Sequence, residues 1–106
     1  MFTSIRRYHV KDQEELTRRV REGFVPKVRE IPGFVGYYVM HGEGNTWVST
    51  SVFETREGVE KSNRLAREFV REAHLEALFE GEPDILIGES RVQELAHREH
   101  RARRAA

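Results

Sequence analysis

The chain has 106 residues, of which 34% are charged, with 18 basic residues against 18 acidic ones and no cysteine. That length fits one domain. The balance of charge argues against a nucleic-acid binder, whose affinity rests on neutralised phosphates, and the lack of cysteine removes disulfides, thiolate metal sites and a cysteine nucleophile together.

No apolar run approaches the ~18 residues of a membrane span. The opening Met1-Phe2-Thr3-Ser4-Ile5-Arg6-Arg7 lacks the charged region and apolar block of a signal peptide. A soluble, unprocessed, cytoplasmic protein with no membrane partner is the expectation.

Residues 2–10 are rich in β-branched and aromatic side chains and predict a strand. Asp12, with Glu15 three residues on, reads as a capping box. Leu16, Val20, Phe24, Val28 and Ile31 then recur at helical spacing, with Arg18, Arg19, Arg21 and Glu22 on the wet side. Gly23 and Pro26 fall inside this helix, and because proline lacks an N–H and crowds the carbonyl four residues back, a kink is expected there.

Pro32-Gly33 ends the helix and leads into a strand over 34–41, both faces of which are apolar or aromatic. His41-Gly42-Glu43-Gly44-Asn45 makes a hairpin turn to a strand over Thr46–Phe53. Its two glycines are not a dinucleotide fingerprint, since a third glycine is missing and both flanks are strands. Thr55 caps a second helix, from about Arg56 to His74, with a stripe of Val59, Asn63, Ala66, Val70 and Ala73. A short turn or helix over Leu75–Phe79 is broken by Gly81 and Pro83, and a last strand spans Asp84–Val92. The folded domain is thus expected over 1–92, followed by a basic tail or short helix over 93–106 with Leu95 as its one anchor.

The order strand, helix, strand, strand, helix, strand with one short hairpin is the ferredoxin-like βαββαβ pattern of the α+β class, with both helices on one face of a four-stranded antiparallel sheet. The other face would carry either Phe34, Tyr38, Met40, Trp47 and Phe53, or Val35, Tyr37, Val39, Val48 and Val52. Both sets are too apolar for water. At ~25 cal/mol per Å² and roughly 100 Å² for each large side chain, leaving that face wet forgoes on the order of 10 kcal/mol. A homodimer joined through the open face of the sheet is the simplest remedy, and cover by the tail is the alternative.

Polar residues on faces that should be apolar are the candidates for chemistry. Asn63 interrupts the buried stripe of the second helix, and an unpaired buried amide costs ~1–3 kcal/mol, so it has either a protein partner or a ligand. His74 lies on the same helix, but eleven residues at a rise of ~1.5 Å place it about 16 Å from Asn63, too far for a dyad. Its position also suits a favourable interaction with the helix dipole. Arg6 and Arg7 are adjacent and point to opposite faces, so one of them is buried and needs a carboxylate. Glu89 on the neighbouring strand is the expected partner, as an ion pair or beside an anionic substrate. Trp47, Tyr37 and Tyr38 either stack on an aromatic ligand or fill core and interface. His97 and His100 could share a metal only on a helical tail, and no third ligand accompanies them.

Pro32-Gly33-Phe34 after the first helix, Gly36-Tyr37-Tyr38 in the strand, and Val52-Phe53-Glu54 before the second helix resemble the antibiotic biosynthesis monooxygenase-like family of dimeric α+β barrels, over residues 1–92. The resemblance implies a small-molecule pocket between helices and sheet. It further implies an oxygenase acting on an aromatic or polyketide-type molecule with no metal and no bound cofactor, Asn63 and Arg6 steadying charge; Trp47, Tyr37, Tyr38 and His74 are the candidate ligand contacts in such a pocket. A haem-binding or haem-degrading protein, with His74 on the iron, is a second implication. A non-catalytic binding or dimer-scaffold domain is the third reading.

Overall fold

The computed structural model describes residues 1–96. Four strands, β1 (Phe2–His9), β2 (Phe34–His41), β3 (Thr46–Phe53) and β4 (Asp84–Glu89), form one antiparallel sheet in the order β2-β3-β1-β4. This is the expected α+β, ferredoxin-like arrangement. The last strand stops at Glu89 rather than Val92, and residues 90–96 carry no regular secondary structure. Val92 and Leu95 are exposed there, so Leu95 anchors nothing. His97, His100 and the arginine run that includes Arg98, Arg101, Arg103 and Arg104 lie outside the described residues.

The first helical segment is not a plain α-helix. It runs as α1 (Gln13–Arg19), a π-helical turn over Val20–Phe24, and α2 (Val25–Val28), which has Pro26 in its first turn. The N–H of Val25 bonds the carbonyl of Val20, five residues back. The expected kink at Gly23 and Pro26 is therefore absorbed by widening the helix. The same widening explains the buried stripe. Residues four apart drift ~40° per step around a 3.6-residue helix, and the wider π turn rotates them back. Leu16, Val20, Phe24 and Val28 consequently all face the sheet and are buried. Of the capping box only half forms: Asp12 accepts from the Glu15 N–H, whereas the Glu15 carboxylate turns to Arg18 and Arg19.

The second long helix, α3 (Arg56–Glu72), starts where the Thr55 hydroxyl accepts from the Gly58 N–H. It ends in a Schellman motif: Leu75 N–H bonds Val70 O at 2.9 Å and His74 N–H bonds Arg71 O at 3.2 Å. His74 takes the left-handed conformation this cap requires, with φ 55°. A single 3₁₀ turn over Glu76–Leu78 follows. The segment is tied back to the end of β1 by the bond from Lys11 N–H to Leu78 O at 2.8 Å and by that from Glu80 N–H to His9 O at 2.8 Å.

All helices cover one face of the sheet, burying Trp47, Phe53, Val59, Ala66 and Leu75 with the α1–α2 stripe. Neither side-chain set expected for the open face is realised whole. A register shift between Phe34 and Gly36 in β2 puts Phe34 and Tyr37 on the helix side with Trp47 and Phe53, and leaves Tyr38 and Met40 outside. Such a bulge inserts one residue and breaks the simple alternation. The open face keeps Ile5, Tyr38, Met40 and Leu86 exposed, with Tyr38 at 66% and Leu86 at 67% of full exposure.

Candidate functional site

The helix-facing side of the sheet centre should be apolar, yet its residues are Ser4, Arg6 and Tyr8 on β1 and Ser49 and Ser51 on β3. Cross-strand pairing sets Arg6 against Ser49 and Ser4 against Ser51, and α3 lays Asn63 over them. Arg6 is 2% exposed and Asn63 6%. The Arg6 Nε–H donates to Ser49 Oγ at 3.1 Å, one Nη2–H to Ser51 Oγ at 3.2 Å, and Nη1 donates to Asn63 Oδ1. Ser4 Oγ donates to the same Asn63 oxygen at 3.0 Å. The guanidinium also sits over the Phe24 ring, 5.9 Å from its centre.

Every one of these acceptors is neutral. Glu89, the carboxylate expected to pair with Arg6, lies opposite Phe2 in β4, is exposed, and bonds Arg91. The residue facing Arg6 across β1 and β4 is Ile85. Asn63 thus takes the place of the missing acid, holding the cation by a dipole instead of a charge. Its amide NH₂ makes no hydrogen bond among the described residues and is accessible, since no fully buried polar side-chain atom there lacks a partner.

The space around this group has two parts. The inner one, lined by Phe24, Tyr37, Trp47 and Phe69 as well as Arg6, has a volume of about 20 Å³. That admits one water. The outer one is a cleft of about 520 Å³ between α3, β1, β4 and the 76–83 loop, with Arg6, Tyr8 and Asn63 at its floor. This is the size of a small-ligand site. Its apolar lining is Ala66, Val70, Phe79 and Ile85, and its charged lining adds Arg67 and Arg71 from α3 and Glu76 and Glu82 from the 76–83 segment. Burial raises the Tyr8 hydroxyl above its ordinary value near 10, opposed by the nearby Arg6 charge, and does the same to Tyr37. Both phenols therefore stay protonated at neutral pH, each with a proton available to a ligand.

The sequence-derived candidates divide accordingly. Arg6 and Asn63 are brought together. Tyr37 and Trp47 line the inner space, and the Trp47 indole N–H donates to Thr17 Oγ1 at 3.0 Å. Tyr38 is on the opposite face of the sheet, carried there by the bulge. His74 is exposed at the α3 cap and does not line the cleft. The contacts the sequence reading missed are Tyr8, Ser4, Ser49, Ser51, Arg67 and Arg71. A signal for the serines was present: Ser49 and Ser51 alternate with Trp47 and Phe53 on a face that has to be buried. Among the described residues no group of three or more His, Asp or Glu side chains is placed to hold a metal, and no helix is long and apolar enough to cross a membrane.

Fold and site together define a ferredoxin-like α+β domain with a cleft between helix and sheet, at the floor of which a buried arginine is held by neutral partners. No protein-family model matches the chain, and no curated protein matches it. Solved structures do share the fold. A monooxygenase from the gene ActVA-Orf6 of Streptomyces coelicolor, in complex with nanaomycin D, superposes with a TM-score of 0.72 at 17% identity, over 91% of this chain and 92% of its own. The cofactor-independent oxygenase SnoaB from Streptomyces nogalater gives 0.64 at 20% identity, over 87% and 94%. An antibiotic biosynthesis monooxygenase gives 0.62 at 15% identity, over 85% and 98%. The likeness read from Pro32-Gly33-Phe34 and Gly36-Tyr37-Tyr38 holds at the level of the fold.

Proposed function

We propose that this chain is a homodimeric, monooxygenase-like protein that takes an aromatic, polyketide-type molecule into the cleft and oxygenates it without a bound cofactor. One observation carries the reading: among the described residues Arg6 is a buried cation with only neutral partners, at the floor of a cleft large enough for a ligand. A buried charge without a counterion is costly. An anion formed in the cleft supplies the missing charge, and at ~4 Å and an effective dielectric near 20 that attraction is about 4 kcal/mol.

Aromatic ketones with an acidic CH₂ form such anions. Among the described residues no carboxylate or imidazole lies at the floor, so ionisation depends on the acidity of the ligand itself, increased by the Arg6 charge. The carbon loses one proton to solvent water at the open cleft, and the carbanion passes one electron to dioxygen. The resulting radical pair joins as a C–O–O⁻ group, which takes up a proton, held ready by Tyr8. The second C–H proton leaves as the O–O bond breaks, and it and the departing hydroxide together make up one water beside the ketone, so no outside reductant is needed. The Asn63 NH₂ and the Arg6 guanidinium stabilise the oxyanion along this path. A cofactor-independent oxygenase and a monooxygenase that binds nanaomycin D, both of this fold, support the reading.

The second copy belongs on the open sheet face, where Ile5, Tyr38, Met40 and Leu86 are exposed. Light scattering at micromolar concentration is expected to give twice the chain mass, and a monomer mass would overturn the dimer. The oxygenase reading is tested with anthrone in an oxygen electrode. One dioxygen consumed per anthraquinone formed, slowed in Asn63→Ala, is the expected result. Uptake no faster than in buffer removes the activity, and saturable binding without uptake makes the chain a binding domain.

A further inference from the structure

The geometry points to a carboxylated aromatic as the ligand, its acid group held by Arg67 and Arg71 at the mouth of the cleft while its rings run inward to Arg6. The inference rests on the cleft being the ligand site. It adds what the ligand carries at its far end.

Arg67 and Arg71 are one turn apart on α3, both exposed, and both line the cleft. Like charges at this spacing repel, and neither arginine forms an ion pair among the described residues. Other surface cations, Arg21, Arg29, Arg56 and Arg64 among them, are likewise without an ion pair among the described residues, so what sets Arg67 and Arg71 apart is that both line the cleft. Glu76 and Glu82 line the same cleft without forming an ion pair with these arginines among the described residues. Counting Arg6, three cations line the cleft against two carboxylates. The walls between mouth and floor are apolar, and Ile85 is an exposed large hydrophobic there. A ligand matching this profile is flat and apolar through its middle and anionic at the outer end. A carboxylate suits two guanidinium forks, which grip its oxygens pairwise. The field of Arg67 also reaches the Tyr8 hydroxyl, so charge at the mouth is sensed at the floor.

Calorimetry with 2-naphthoate and 2-naphthamide, ligands of the same shape that differ in charge, tests this on the full chain. Naphthoate is expected to bind about tenfold more tightly than the amide, as a charge-assisted hydrogen bond allows, and the preference should shrink with added salt. In Arg67→Gln/Arg71→Gln, whose fold is checked by circular dichroism, the preference should vanish and the two ligands should bind alike. Equal binding of both ligands to the wild type overturns the acid anchor and leaves the cleft standing as a ligand site. A preference that survives in the double variant also overturns it, assigning the acid to Arg6. Binding of neither ligand at millimolar concentration overturns the cleft and the anchor together.

Discussion

Substitution of Asn63 separates what the polar cluster does for the fold from what it does for a ligand. Asn63 Oδ1 accepts from Ser4 and from Arg6. In Asn63→Ala both bonds go, one neutral at about 1 kcal/mol and one charged at about 1.5–3 kcal/mol. Because the side chain lines the cleft, water enters and recovers part of this. A net loss of about 2 kcal/mol is expected, which lowers the urea midpoint by about 1 M. Asn63→Asp keeps the shape and adds the absent carboxylate. Its attraction to Arg6, about 4 kcal/mol at an effective dielectric near 20, is offset by a desolvation cost of several kcal/mol. The midpoint should therefore stay within about 0.5 M of wild type. Binding behaves the other way. With Arg6 already neutralised, a phenolate no longer gains from the cleft. 4-Nitrophenol reports this by colour, since the phenolate absorbs where the phenol does not. Wild type and Asn63→Ala should raise the bound phenolate fraction, and Asn63→Asp should not. An Asn63→Asp protein that binds phenolate as wild type does would refute the role given to the Arg6 charge.

His74→Gly should raise stability by about 0.5–1 kcal/mol in a urea melt, because glycine adopts φ 55° without a Cβ clash; ligand binding should not change, and a loss of binding would return His74 to the site. Gly58→Ala should cost about 1–3 kcal/mol even though alanine favours helices, since the new Cβ would lie 2.7 Å from Phe53 Cδ1 and Phe53 is fully buried. A higher melting temperature contradicts that. Tyr8 and Tyr37 have hydroxyls raised above their ordinary value, so the folded state holds these protons more tightly than the unfolded chain. Their contribution is full below pH 10 and is lost as pH rises through the raised values, so stability should fall in that window. Tyr8→Phe and Tyr37→Phe should each flatten the fall, and an unchanged slope would show that other groups cause it.

Much of the architecture was legible because it follows from periodicity. The apolar residues of the first helix, the alternation in β3 and the Pro32-Gly33 stop each have one reading, and together they prescribe the sheet with its helices on one side. Local deviations were not legible. Nothing in the spacing of Leu16, Val20, Phe24 and Val28 shows that a π turn keeps them aligned, although a strict four-residue interval over three steps is itself a departure from 3.6. The β2 bulge was hidden in the same way, and with Phe34 on the helix side it sets Tyr37 toward the helices and Tyr38 on the open face, a choice the alternation alone left undecided. At the site, the sequence named Arg6 and Asn63 but assumed that a buried guanidinium must find a carboxylate. Three neutral side chains drawn from β3 and α3 hold it instead, which only the register of β1 against β3 reveals. Arg67 and Arg71 look like the wet face of a helix until the 76–83 loop makes that face one side of a cleft.

The central claim is that the Arg6 cation at the floor of the cleft meets the ligand, and nuclear magnetic resonance of the wild-type chain tests it directly. On titration with anthrone, the Arg6 Nε–H and Asn63 side-chain NH₂ resonances should move together and saturate, while groups in the separate groove at Lys27, Lys61 and Arg64 stay in place. Saturable shifts confined to that groove or to the open sheet face, with the Arg6 and Asn63 signals unmoved, would contradict the account.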